Sequence, residues 1–294
     1  MPVELAQTVK LTKRNLAGKE HLTTVTDLLQ RIRREDAYAG LYEAADLQWW
    51  WRKDHAAPPE HQIYWFNEQD QAIASLLLHN NGDEWNNDFM WLPSARAVVD
   101  EFIIPEVVAN LVQLEPAAML SVGEDDLVLQ RALQAEGFAL DTSMMGVTEL
   151  ARDPARSPLP AGFHLTSRRE DHRPHHLSRR SGEEVATRLQ ECSLYRPDLD
   201  LCIRDEAGTV AAYALFWMDD VTKVGLLEPL RTEREFQRLG LARYLIAEGV
   251  ARLRALGATY IRVAYDPANE PAAHLYHQMG FVDIVKVLEY RRST

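Results

Sequence analysis

The sequence predicts an α/β chain (α+β in type) built from two successive copies of one pattern. Three observations predict it. Hydrophobic periodicity alternates between strand-like and helix-like on each side of a single break, in the order strand, helix, strands, helix, strand. The break is "LARDPARSPLPAG", residues 150 to 162, where three prolines and a glycine interrupt any periodic pattern. Finally, "ALQAEGF" at 132 to 138 echoes "LYHQMGF" at 275 to 281, each closing a helix before a strand. That spacing is expected of an internal duplication with a unit of about 140 residues. At 294 residues the chain also exceeds the roughly 100 to 200 residues of one domain, so two domains are expected, 1–152 and 160–294.

In the first half, "HLTTVTDLLQRIRRED" carries Val25, Leu28, Leu29 and Ile32 at helical spacing. "IYWFNEQDQAIASLLLHNNGDEWNNDFMWL" reads as three short strands with a turn near Gly82. "ARAVVDEFIIPEVVANLV" is helical, but Pro105 must kink or interrupt it, because proline has no N–H to give and its ring meets the preceding turn. "AAMLSVG" is a strand, and "DLVLQRALQAEGF" a helix ended by Gly137.

In the second half, "GFHLTS" is a strand and "EEVATRLQECSLY" a helix. "LDLCIRDEAGTVAAYALFWMDD" gives two strands about the Ala207-Gly208 turn, and "TKVGLLEPLRT" a third. "RLGLARYLIAEGVARLRALG" is a long amphipathic helix ending at Gly257. "ATYIRVAYD" is a strand, "EPAAHLYHQMG" a short helix and "FVDIVKVLEY" the last strand.

Composition excludes several classes of function. Acidic residues outnumber Lys plus Arg by 44 to 32, a net charge of −12, and such a field repels polyanions unless a basic stripe is present. Arg31, Arg33 and Arg34, and the looser group from Arg168 to Arg180, alternate with acidic or apolar neighbours and read as solvated faces. No nucleic-acid partner is expected, and a cationic small molecule suits the charge better. No stretch approaches the ~18 consecutive apolar residues of a membrane span, and "MPVELAQTVKLTKRN" has no apolar core or cleavage signature. Two cysteines, Cys192 and Cys202, without a CxxC, fit a reduced compartment. The expected location is cytoplasmic, with no membrane partner.

The chemistry gathers around "TEREFQRLGLARYLIAEGV", residues 232 to 250. A helix starting at Gly240 leaves its first N–H groups without intrahelical acceptors, at the positive end of the dipole. Such a terminus binds phosphate when no bulky side chain intervenes, and Gly240 and Ala242 give that clearance, with Arg238 and Arg243 nearby. Before it, Pro229 lies inside a strand, which requires either a bulge that splays the sheet or an edge position. A splayed strand leaves backbone groups of Leu230, Arg231 and Thr232 free for an extended ligand arm. After it come Asn269 and Tyr276. The tyrosine is either a core residue or a donor whose phenol, with an ordinary pKa of about 10, matches a thiolate leaving group.

Taken in order, Gln-x-x-Gly-x-Ala at 237 to 242, the strands around it, Asn269, and Leu275-Tyr276 before Gly280-Phe281 resemble the GNAT superfamily of acyl-CoA-dependent N-acetyltransferases, over residues 163 to 294. The resemblance implies a mixed, mostly antiparallel sheet flanked by helices. It implies that the backbone of Gln237, Arg238, Leu239, Gly240, Leu241 and Ala242 holds the CoA pyrophosphate. It also implies that Leu230 to Thr232 pair with the pantetheine arm, that Asn269 contacts the cofactor, and that Tyr276 is the general acid. Ala242 and Gln237 depart from the family's commonest residues, in ways it tolerates. The implied reaction moves an acetyl group from acetyl-CoA directly to a primary amine. Glu228 is the best candidate for general base, being close to the ligand-facing backbone; a solvated or salt-bridged strand glutamate is the other reading. A CoA-binding sensor without turnover is the alternative function.

The first half has no such cofactor motif: "FMWLPSARAVVDEFIIP" stands where the loop should be, and Leu133 where Tyr276 falls. It is expected to be a degenerate GNAT-like domain that shapes the acceptor site. "DLQWWWRKD", residues 46 to 54, could form an aromatic box for a cation, though three consecutive indoles favour core packing. His164, His172, His175 and His176 lack metal-ligand spacing and read as a solvated segment, so no metal is expected. The acceptor stays open among antibiotics, polyamines, amino acids and peptide N-termini, on a monomer or homodimer.

Overall fold

The computed structural model describes residues 10–52, 58–80, 85–113 and 119–292. In chain order the first elements are β1 (Thr12–Asn15), α1 (Gly18–Glu35), α2 (Ala44–Trp50), β2 (Gln62–Phe66), β3 (Ala72–Asn80) and β4 (Trp85–Trp91). They are followed by α3 (Arg96–Val98), α4 (Ile104–Gln113), β5 (Met119–Gly123), α5 (Leu127–Ala135) and β6 (Phe138–Leu150). Then come β7 (Phe163–Ser167), α6 (Ser178–Ser181), α7 (Val185–Glu191), β8 (Asp200–Asp205), β9 (Val210–Asp219) and β10 (Val224–Thr232). The chain closes with α8 (Leu241–Ala255), β11 (Tyr260–Tyr265), α9 (Glu270–Gln278) and β12 (Phe281–Arg292).

The chain divides into two compact units. The first holds 1–41, 56–143 and 288–294; the second holds 42–55 and 144–287. These limits differ from the expected 1–152 and 160–294. The proline-rich stretch ends a strand, but the division falls inside β6, which runs without interruption through it. The segment 42–55, with α2, belongs to the second unit although it lies far upstream in sequence.

In the first unit β1, β2, β3 and β4 pair antiparallel in succession and β4 pairs β5 in parallel. In the second, β7, β8, β9 and β10 pair antiparallel, β10 pairs β11 in parallel, and β11 pairs β6 antiparallel. The repeated pattern of three antiparallel steps and one parallel step is the duplication seen in sequence. A single parallel pair in a mostly antiparallel sheet needs a helical crossover, supplied by α3–α4 and by α8.

Local physics accounts for the elements. α1 buries Leu22, Val25, Leu28, Leu29 and Ile32, the stripe its spacing predicts. Pro105 does not end the helical segment; the chain widens into a π-helical turn over Val99–Ile103 and continues as α4. That turn relieves the clash between the proline ring and the carbonyl four residues back. The Gly82 turn lies outside the described residues. In the second unit, Phe216 of β9 packs with Leu245, Ile246 and Val250 of α8, which seats that helix on the sheet.

Candidate active site

β10 breaks its register against β9 between Leu227 and Leu230: Leu227 opposes Phe216, and Leu230 opposes Ala214. Glu228 and Pro229 therefore face Leu215 alone, a two-to-one bulge, with the Glu228–Pro229 bond cis. On its other side β10 pairs with β11 only over Val224–Leu226 against Tyr260–Arg262. On its opposite edge β11 pairs with β6, over Arg262–Tyr265. β10 is thus a central strand, not an edge, and it parts from β11 at the bulge, leaving Leu230, Arg231 and Thr232 laddered to β9 alone among the described residues.

The loop after β10 runs through a 3₁₀ turn, Arg234–Phe236, into α8. Arg238 (φ 66°) and Gly240 (φ 83°) both take the left-handed region, which turns successive N–H groups toward one side. Gly240 is the N-cap and offers no side-chain acceptor. The first helical bond runs from the Tyr244 N–H to the Gly240 carbonyl at 3.0 Å, so the N–H groups of Leu241, Ala242 and Arg243 precede any intrahelical acceptor. A Cβ at Gly240 would meet nothing within 4 Å, and Gln237 to Gly240 are exposed. This open, left-handed cradle at a helix N-terminus fits a diphosphate. Arg243, expected to add charge here, bonds to Gln278 Oε1.

Asn269 caps α9, its Oδ1 accepting from the Ala272 N–H at 3.3 Å, which leaves its amide nitrogen as the group able to meet a ligand. Tyr276 on α9 is 7% exposed and sits between Tyr265 (5.9 Å) and Phe281 (5.8 Å, edge-on). Gly280, in the left-handed region, allows the close turn behind it: a Cβ there would lie 2.5 Å from the Arg152 carbonyl oxygen. Burial pushes the Tyr276 phenol well above its ordinary range, and the charge of Glu228 adds to the shift. The two candidate acid–base residues therefore sense each other.

Glu228 is the most perturbed carboxylate of the site. Burial raises it to about 7, against a pull downward from Arg52 and from a hydrogen bond with Trp49. Its backbone carbonyl accepts from Trp217 Nε1 at 2.8 Å. Trp49 is buried and meets Trp217 edge-on at 6.5 Å. The Arg52 guanidinium lies 3.5 Å from the centre of the Trp49 ring and donates to the Trp49 carbonyl at 2.8 Å. Burial lowers Arg52 to about 10, and the charge of Glu228 opposes that. Sequence reasoning missed Trp49 and Arg52. The run "WWWRKD" was the available signal, but nothing in it says that the segment joins β9 and β10.

His175 and His176 correct the expectation of a solvated segment. Their side chains are 2% and 1% exposed and face the fully buried Asp200 at 3.1 and 2.9 Å, with Tyr195 donating to Asp200 at 2.8 Å. These three residues could hold a metal ion by proximity. However, the Leu177 N–H donates to His175 Nδ1 at 3.2 Å, which places that ring's proton on Nε2, facing Asp200, where a metal would need a lone pair. Burial also lifts the Cys192 and Cys202 thiols to about 12, and both are free.

With this geometry in place, the likenesses to known proteins are specific. Residues 165–281 match the Acetyltransferase (GNAT) family, so the second unit carries a GNAT acetyltransferase domain. A mycothiol acetyltransferase of Propionibacterium freudenreichii subsp. shermanii is 27% identical over 191 residues, covering 58% of this chain. The match spans 59% of that relative's length. Among solved structures, a tandem GNAT protein from the clavulanic acid biosynthesis pathway superposes with a TM-score of 0.64 at 14% identity, over 96% of this chain and 98% of its own. A GCN5-related N-acetyltransferase from Sphaerobacter thermophilus superposes with a TM-score of 0.60 at 13% identity, over 96% and 95%. At these identities the structural likeness speaks to the fold.

Proposed function

We propose that this GNAT domain transfers an acetyl group from acetyl-CoA to a primary amine of a small molecule, with Glu228 as general base and Tyr276 as general acid. One observation carries the reading: β10 bulges at Glu228–Pro229 and parts from β11 there, in the strand that leads to the open, left-handed helix start at Arg238–Gly240.

The N–H groups at 237 to 242 would hold the diphosphate and the backbone of Leu230 to Thr232 the pantetheine arm. The Asn269 amide nitrogen is a further donor. When bound, acetyl-CoA supplies an activated thioester. Glu228, ionised above about pH 7, takes a proton from the ammonium so that nitrogen carries a lone pair. A base with that pKa is matched to neutral pH. Backbone N–H groups of the open strand polarise the thioester carbonyl. As the C–N bond forms and the C–S bond breaks, the Tyr276 O–H passes its proton to the departing sulfur, and the second proton that the nitrogen loses on becoming an amide restores the phenol. The coupling has a direction: a protonated Glu228 no longer holds Tyr276 up by its charge, so taking the first proton makes the second easier to give.

No helix among the described residues is long and apolar enough to cross a membrane. The test is release of free thiol from acetyl-CoA against a panel of amines: polyamines, amino acids, aminoglycoside antibiotics and peptide N-termini. Release with any class supports the proposal; tight acetyl-CoA binding without release from all of them would show a CoA-binding protein without turnover.

A further inference from the structure

Glu228 is held from several sides. Trp217 of β9 grips its backbone carbonyl, and Tyr276 of α9 faces it electrostatically. From α2 comes Trp49, hydrogen-bonded to the carboxylate, and from the turn just after it Arg52, acting through its charge. Tyr213 of β9 acts in turn on Arg52. Among the described residues the Arg52 head rests on the Trp49 ring, the Trp49 carbonyl and, at 3.4 Å, the Ser181 hydroxyl. α2 is itself anchored at its start. Glu43, its N-cap, accepts from the buried Arg262 of β11 at 2.5 Å, and Glu43 and Asp46 form a capping box. Arg262 also donates to Glu149 of β6 at 3.0 Å. A helix contributed by an upstream segment is thus fixed to the sheet at one end and presents an indole and a guanidinium to the base at the other.

We infer that Trp49 and Arg52 are positioning residues of the proposed acetyl-transfer site, which orient the Glu228 carboxylate: Trp49 lies edge-on against Trp217, whose indole holds the Glu228 carbonyl, and the Arg52 guanidinium stacks on Trp49. The inference rests on Glu228 being the base. The physical reason is that a carboxylate deprived of water stays protonated unless an opposite charge or a hydrogen bond favours its ionised form. At this site Trp49 of α2 and Arg52 in the turn after it supply the two. A merely structural α2 would support the fold without altering where Glu228 titrates.

The test uses the full chain labelled with ¹³C-glutamate, the Glu228 carboxyl signal being assigned by its absence in Glu228→Gln. Arg52→Met keeps the site filled but removes the charge, and its Glu228 midpoint is expected to move up by about one pH unit or more. Trp49→Phe should move it the same way by less, and Arg52→Lys should hold it close to the parent value. The acid limb of kcat for the accepted amine should follow these midpoints while the acetyl-CoA Kd stays unchanged. An unmoved midpoint in folded Arg52→Met and Trp49→Phe overturns the inference and leaves the base assignment intact. Undiminished thiol release by Glu228→Gln overturns the base assignment, and this inference with it. Thermal melts of each variant establish folding, and Arg52→Lys provides the comparison if Arg52→Met does not fold.

Discussion

The two units place the same kind of helix start after the same kind of strand, and use it in opposite ways. In the second unit α8 opens on Gly240, left-handed and without a side-chain acceptor. In the first unit the chain passes from β4 into a 3₁₀ turn at Pro93–Ala95 and then α3. There the N–H and hydroxyl of Ser94 donate to the Glu35 carboxylate at 2.8 and 2.9 Å. One terminus leaves its donors open; the other is filled by the protein's own anion. The preceding strands differ in step: β4 keeps an unbroken register with β3, whereas β10 is bulged at Glu228–Pro229. Leu133, at the place of Tyr276, is a fully buried aliphatic residue. The two units thus share a sheet pattern but differ at the strand bulge, the helix start and the residue at the place of Tyr276, the features on which the proposed site rests.

Substitutions in the proposed site of the second unit should give the largest effects. Glu228→Gln is expected to lower kcat by about 10² to 10⁴ through loss of general-base catalysis, measured by thiol release with acetyl-CoA binding as the control. Tyr276→Phe should lower kcat by about 10² and spare the acetyl-CoA Kd, since the ring contacts with Tyr265 and Phe281 are kept. Gly240→Val should weaken acetyl-CoA binding by at least about tenfold, because a β-branched residue is strained in the left-handed region and fills the open side of the cradle. The same substitution should also lower folding stability, by about 1–2 kcal/mol for a non-glycine residue held in the left-handed region, so a thermal melt accompanies the binding measurement.

A smaller effect sharpens the account of the base. The folded-state pKa of Glu228 is raised to about 7 from 4.5, so the fold holds this proton more tightly than the unfolded chain does. The resulting stability is present below the unfolded value and lost as pH rises from 4.5 through 7. Glu228→Gln, which mimics the protonated form, should therefore melt higher than the parent protein at pH 8, with the difference vanishing toward pH 4.5. Equal melting temperatures at both pH values would contradict the burial of that charge.

Much of this was legible in the sequence where the cause is local. Helical spacing gave α1, Gly240 marked the start of α8, and Pro229 required a bulge or an edge. The pairing of β10 with both β9 and β11 decided for the bulge. What stayed illegible depends on partners distant in the chain. Pro105 requires a kink or an interruption in the helix, and a π-helical turn over Val99–Ile103 absorbs it. His175 and His176 looked solvated because their neighbours in sequence are polar, whereas their partner Asp200 lies on β8. The expected boundary at 150–162 marked the end of a strand and gave no hint that 42–55 belongs with the second unit. Deleting residues 1–155 would therefore remove Trp49 and Arg52 as well as the first unit, and could not test that unit alone.

The central claim is that one unit binds the cofactor and the other cannot. Calorimetric titration of the full chain with acetyl-CoA tests it most directly, read as stoichiometry across three proteins: the parent, Gly240→Val and Glu35→Ala. The account predicts one site per chain, lost or severely weakened in Gly240→Val and unchanged in number and affinity in Glu35→Ala. Two sites per chain, or a single site insensitive to Gly240→Val and weakened by Glu35→Ala, would contradict it.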